Sequence, residues 1–198
     1  MDMIAATQNP HKIKEIDAIT KSFGLTVTGR SAAGVAEFEI EEDGATFEEN
    51  SLIKAMAIHK ETGAVTIADD SGIEVDALDG MPGIHSARFA GEEGNDKKNN
   101  QKLLLLLEGV PKERRTGRFV SVITVVFSEM DILIARGECE GHILTEERGT
   151  GGFGYDPLFV PDGYEKSFGE MGVSVKNQIS HRAKALQELS RQLQLRGR

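Results

Sequence analysis

The first thirty residues switch period twice. "MIAAT" (3–7) reads as a short apolar strand, and "NPHKIKEIDAITKSFG" (9–24) places Ile13, Ile16 and Ile19 at helical spacing. Asn9 suits an N-cap, Pro10 the first helical position and Gly24 a stop. "LTVTGR" (25–30) returns to strand. A strand that enters a helix through a tight turn and comes back as a strand is the opening of an α/β unit, and this constrains the fold more than any other local signal.

The remaining chain extends that pattern. A helix is expected from about Thr46 to Lys60 with Leu52, Ile53, Met56 and Ala57 inward, followed by strands at "GAVTIA" (63–68) and "GIEVDAL" (72–78) and a turn at "DGMPG" (79–83). "DKKNNQKLLLLLEG" (96–109) reads as a helix. "GRFVSVITVVFS" and "DILIARGECEG", separated by "EM", read as an antiparallel hairpin. "LFV" (158–160) reads as a short strand, and "SHRAKALQELSRQLQL" (180–195) as an amphipathic helix with Ser180 at its N-cap. With no repeat and no linker composition, residues 1–198 read as one mixed α/β domain with two lobes around a cleft.

Composition narrows the function. Of 198 residues, 23 are Lys or Arg and 32 are Asp or Glu, a net charge of −9 that disfavours nucleic-acid phosphates and anionic membranes. The single cysteine, Cys139, permits neither an internal disulfide nor a cysteine-based zinc cluster. No leader pattern follows Met1, and no apolar run approaches the ~18 residues of a membrane span, so a cytoplasmic protein is expected.

Five segments carry candidate chemistry. "IADDSG" (67–72) ends an apolar, β-branched run in Asp69 and Asp70, a pair that must reach the surface, cap a helix or hold a cation. The acidic stretch 36–50 is either a solvated face or loop, or brings Glu42 to Asp69 and Asp70 as a third carboxylate; such a group would suit Mg²⁺, which takes hard oxygen ligands, and Lys54 can pair with an acid or reach a phosphate. "TQNPHK" (7–12) sets amides and Lys12 at a helix start, either an ordinary cap or a seat for phosphate oxygens. In "RGTGGFGYDP" (148–157), Gly149, Gly151 and Gly154 spell G-x-G-x-x-G, but Pro157 and a β-type run follow where a dinucleotide fingerprint needs a helix. This loop is either a mobile surface segment or a backbone that lies against a ligand, with Phe153 or Tyr155 available to stack on a base. "KNQISHR" (176–182) sets Lys176, His181 and Arg182 near a helix start: His181 and Arg182 are donors that suit a purine carbonyl, Lys176 can contact phosphate or base, and the histidine can equally be a cap or surface residue.

Taken in order, "ATQNPHKIKEI" (6–16), "EEDGATFEENSLIKA" (41–55), "IADDSGIEVDALDGMPGIHSARFAG" (67–91), "GGFGYDPLF" (151–159) and "KNQISHRAKAL" (176–186) resemble the inosine/xanthosine triphosphate pyrophosphatase family across about residues 3–190. The resemblance implies a homodimeric, elongated mixed α/β protein with a central sheet flanked by helices and a nucleotide-binding cleft between two lobes. It implies Mg²⁺-dependent hydrolysis of ITP, dITP and XTP to the monophosphate and pyrophosphate. Thr7, Gln8, Asn9, Pro10, His11 and Lys12, aided by Lys54, would hold the triphosphate. Glu42 and Asp70 would bind Mg²⁺ with help from Asp69, and Asp70 would also accept the proton of the attacking water. Ser71 would touch the nucleotide, Phe153, Gly154, Tyr155 and Asp156 would enclose base and sugar, and Lys176, His181 and Arg182 would read the base. "GEMGVSV" (169–175) departs from the family pattern in lacking the acidic pair that often precedes the matching lysine.

Overall fold

The opening alternation folds as its periods require. In the computed structural model, which describes residues 1–92 and 94–196, β1 (Asp2–Ala5) leads into α1 (Pro10–Thr20) and back to β2 (Thr26–Gly29). Asn9 caps α1 as expected, its side chain accepting from the backbone N–H groups of His11 and Lys12. A short 3₁₀ turn, Lys21–Phe23, closes on Gly24, whose φ of 72° needs a residue without Cβ. The chain continues through α2 (Phe47–Thr62), β3 (Thr66–Val75) and α3 (Asp96–Leu106) to the hairpin of β4 (Thr116–Ser128) and β5 (Asp131–Ile143). It ends in β6 (Phe159–Pro161), α4 (Val173–Ile179) and α5 (His181–Arg196). The six strands form one mixed sheet in the order β2-β1-β3-β4-β5-β6, with β1 parallel to both β2 and β3 and β6 antiparallel to β5.

The chain divides into two compact units. The first comprises Met1–Asp70, Ser121–Gly137 and the C-terminal stretch from Arg182. Its strands separate two apolar layers. Met3, Ala5 and Ile67 pack with Ile16 and Ile19 of α1 and with Ala183, Leu186 and Leu189 of α5, whereas Ala6 and Ala68 pack with Ala55 and Ile58 of α2. Odd and even strand positions thus serve opposite faces. The second unit, Ser71–Val120 with Glu138–His181, has a core of Ile73, Val75, Leu103, Leu107, Phe119, Phe159 and Phe168, into which Cys139 also packs.

Three expectations change. "GAVTIA" and "GIEVDAL" belong largely to one ten-residue strand, β3, so Asp69 and Asp70 lie in its interior and not at its end. On α2 the buried positions are Phe47, Asn50, Ser51, Lys54, Ala55 and Ile58, while the predicted Leu52, Ile53, Met56 and Ala57 are half-buried. The helix is rotated because its inner face carries polar site groups, which an apolar-periodicity reading assigns to solvent. Finally, α4 went unpredicted: seven residues with Val173 and Val175 exposed give no amphipathic signal.

Candidate active site

Adjacent residues on a strand point to opposite faces, and this decides what the two aspartates do. Asp69 shares the face of Ile67 and meets α1 and α5. Its Oδ2 lies 2.8 Å from Lys12 Nζ and 3.1 Å from Arg182 Nη2, and its Oδ1 accepts from Ser121 Oγ at 2.6 Å. Arg182, itself fully buried, also pairs with Glu15. Burial alone would raise the Asp69 carboxyl, but the charges of Arg182 and Lys12 outweigh it and hold the group well below the usual carboxylate range.

Asp70 shares the face of Ala68 and meets α2. Lys54 Nζ lies 2.5 Å from Asp70 Oδ1 and 2.9 Å from Glu42 Oε2. The second Asp70 oxygen, Oδ2, is buried with no hydrogen-bond partner among the described residues. Burial raises the Asp70 carboxyl and the attraction of Lys54 and Lys12 does not cancel it. Burial lowers the Lys54 ammonium, yet Asp70 and Glu42 leave it raised overall. The sequence positions these groups through a cap: Thr46 Oγ1 accepts from Glu49 N, and Glu49 Oε2 accepts from Ala45 N, a Thr-x-x-Glu arrangement that fixes the chain just after Glu42.

This geometry separates Asp69 from the other two carboxylates. Among the described residues no three His, Cys, Asp or Glu side chains converge on one point, and Asp69 faces away from Glu42 and Asp70 into its own ion pairs. It also accounts for Lys12 in the first turn of α1, where a cation opposes the helix dipole: the compensating anion is Asp69. Thr7 Oγ1 accepts from Asn9 N at 3.1 Å, and the His11 and Lys12 amides are taken by Asn9 Oδ1. Gln8, Pro10 and His11 are exposed, and Ser71 is half-buried.

In the second unit, Asp156 organises the other half of the predicted set. Its Oδ2 accepts from Phe153 N at 2.9 Å and lies 2.6 Å from the buried Lys176 Nζ, which sits 4.8 Å from the centre of the half-buried Phe153 ring. Gly154 N donates to Asp96 Oδ2 at 2.7 Å, and its carbonyl accepts from Asn100. Tyr155 is not available for stacking: its ring is in the core and its hydroxyl donates to Ser86 O at 2.8 Å. His181 is buried too, stacked on Phe119 at 4.7 Å. Gly152 makes room for this arrangement, since at its φ of 72° a Cβ would meet Asp156 Oδ2 at 2.0 Å. Gly152→Ala is therefore expected to destabilise the protein by about 2 kcal/mol, read as a lowered midpoint in urea unfolding.

The sequence reading missed Glu15, Ser121, Asn100 and Ser86, the residues that hold the predicted ones. Ser121 alone left a signal, as a hydroxyl inside the apolar run "FVSVITVVF".

A buried strand presents an ion-paired carboxylate on one face and a lysine-bridged carboxylate pair on the other, in a mixed α/β protein; comparison with known proteins gives this arrangement its family. The Ham1 family model matches residues 3–192. A dITP/XTP pyrophosphatase of Desulforamulus reducens is 49% identical over 192 residues, covering 95% of this chain and 93% of its own length. The Staphylococcus aureus Ham1 protein superposes with a TM-score of 0.84 at 37% identity, and a HAM1 protein from Coxiella burnetii with 0.86 at 36%, each covering 98% of both chains. The chain belongs to the Ham1 family.

Proposed function

We propose that this protein hydrolyses dITP, ITP and XTP to the nucleoside monophosphate and pyrophosphate, removing them from the nucleotide pool. The observation that carries the reading is the pair Glu42–Asp70 bridged by Lys54, with one buried Asp70 oxygen left unpartnered, in a chain 49% identical to a dITP/XTP pyrophosphatase.

The donor set fits Mg²⁺. Two carboxylates of hard oxygen, one with an orphaned buried atom, match an ion that uses one or two protein carboxylates and keeps several waters. Bound by Glu42 and Asp70, Mg²⁺ would neutralise phosphate charge and acidify a water. Asp70, whose buried Oδ2 has no hydrogen-bond partner among the described residues, would take the proton as the water oxygen bonds to the α-phosphorus and the bond to the β-phosphate oxygen breaks. Lys54, at present shared between the two carboxylates, would supply a point charge to the phosphates, and the Thr7–Lys12 turn would seat their oxygens. Phe153 and Lys176 would contact the base, with Asp156 holding the lysine in place and His181 backed by Phe119. Arg182, paired with Asp69 and Glu15, would act as a positioning residue for Asp69. A donor facing the 6-oxo group would reject adenine, whose amino group leaves it unpaired at a cost of about 1–3 kcal/mol. The same reading has the protein acting as a cytoplasmic homodimer.

The test incubates the protein with Mg²⁺ and ITP, dITP, XTP, ATP, GTP or dTTP and separates the products by ion exchange. IMP, dIMP or XMP with pyrophosphate, and little product from ATP or GTP, is the expected result. Diphosphate with orthophosphate would place the attack at the γ-phosphorus and overturn the mechanism, and turnover of dTTP alone would overturn the substrate class.

A further inference from the structure

A cavity of about 250 Å³ in the second unit is lined by Lys112, Arg115, His142, Leu144, Glu146 and Arg148, among others. None of these residues belongs to the candidate active site. Arg115 is buried, and its guanidinium donates to three carbonyls: Nε to Ile143 O at 2.9 Å, Nη1 to Leu107 O at 2.8 Å and Nη2 to Leu144 O at 2.6 Å. Its hydrogen bonds are satisfied, but no carboxylate pairs with it among the described residues. A buried charge without a counter-ion is costly, and here the neighbours add to it. Lys112 makes no ion pair among the described residues, and Arg148 spends one nitrogen on Glu165 O at 3.0 Å and approaches Glu170 at 3.5 Å. Glu146 is the one carboxylate that lines the cavity. In a chain of net charge −9, three cations around one small cavity run against the overall balance.

We propose that this cavity binds a small multivalent oxyanion of the phosphate class. The volume lies below the ~300–1,000 Å³ typical of sites for drug-sized ligands, which favours an ion the size of pyrophosphate over a whole nucleotide. Arg115 supplies a fixed positive field, Lys112 and Arg148 supply charges at the lining, and the His142 ring, free of hydrogen bonds to protein among the described residues, supplies an N–H. Burial lowers the His142 imidazole, and Lys112 and Arg148 lower it further against the pull of Asp162. An anion between these groups reverses that repulsion, so binding and protonation of His142 strengthen each other.

The experiment follows the His142 imidazole by NMR in the full chain, in magnesium-free buffer, while inorganic pyrophosphate or orthophosphate is added. Pyrophosphate is expected to raise the His142 midpoint by about one pH unit in a saturable way. Lys112→Gln should weaken that binding about tenfold with unchanged thermal midpoint, because Lys112 is exposed and makes no ion pair. Arg148→Gln should weaken it as well. Saturation by orthophosphate at lower concentration than pyrophosphate would still support the site and name the single phosphate as its occupant. A His142 midpoint unmoved by millimolar pyrophosphate overturns the proposal. So does a shift that persists unchanged in both variants, which would mean an adventitious ion only.

Discussion

Asp70→Asn is expected to lower turnover of dITP and XTP by about 10²–10⁴-fold while leaving the protein folded. Asparagine keeps the size and shape of the side chain and still offers an amide oxygen to Lys54, so the fold is expected to survive the change. It cannot take a proton from water, and it replaces one of two hard anionic donors with a neutral amide. Pyrophosphate release under saturating substrate and Mg²⁺ gives the rate, and circular dichroism checks the fold. A folded variant that keeps its rate within about threefold, with unchanged metal dependence, removes Asp70 from the role of base.

Asp69→Ala is expected to act in the opposite way, on stability first. Removing one member of a buried ion-pair network costs about 3–5 kcal/mol, because Lys12 and Arg182 keep their charges and lose their shared partner. Set against a total of about 5–15 kcal/mol for a typical domain, this is a large share, and urea unfolding measures it. The effect has a definite pH signature. The Asp69 carboxyl is held well below its ordinary value in the folded protein, so its contribution is fully present above the unfolded pKa, near 3.9, and is lost as pH falls through the folded one. The gap between wild type and variant should stay constant from pH 7 to about pH 5 and narrow only in stronger acid. Asp70 contributes with the other sign, since its carboxyl is raised: the folded protein loses stability there as pH rises through that value. A gap that closed already between pH 7 and pH 6 would show that Asp69 is not the ionised anchor described here.

The two aspartates also show how far the sequence could be read. Strand and helix periods located β1, α1, β2, the hairpin and α5, because each has an apolar face that repeats at the right interval. The residue types around "IADDSG", Lys12 and Lys54 pointed to charge chemistry, and the five ordered segments pointed to the family. The partition of charge was not legible. "IADDSG" looks like a strand end because two carboxylates are hard to bury, and only the partners reveal that each is buried by a different set of cations. Those partners come from Lys12, Lys54, Ser121 and Arg182, distant positions that no local pattern ties to residue 69 or 70. For α2 the difficulty was the converse: a helix that buries Asn50, Ser51 and Lys54 shows almost no hydrophobic periodicity, so its inner face could not be located from the apolar residues.

Because Asp69 and Asp70 are joined by one peptide bond and look in opposite directions, whatever immobilises the first also aims the second. On the proposed mechanism, the precision asked of Asp70 as proton acceptor would come from the far side of the sheet, from Ser121, Arg182 and, through Arg182, Glu15. A map of mutational sensitivity would show this as a shadow site: positions that meet neither phosphate nor base, on α1, β4 and α5, scoring alongside those that do. Conservative changes there, Glu15→Gln or Ser121→Ala, would blur the placement of Asp70 without altering the chemistry of any group at the reaction centre.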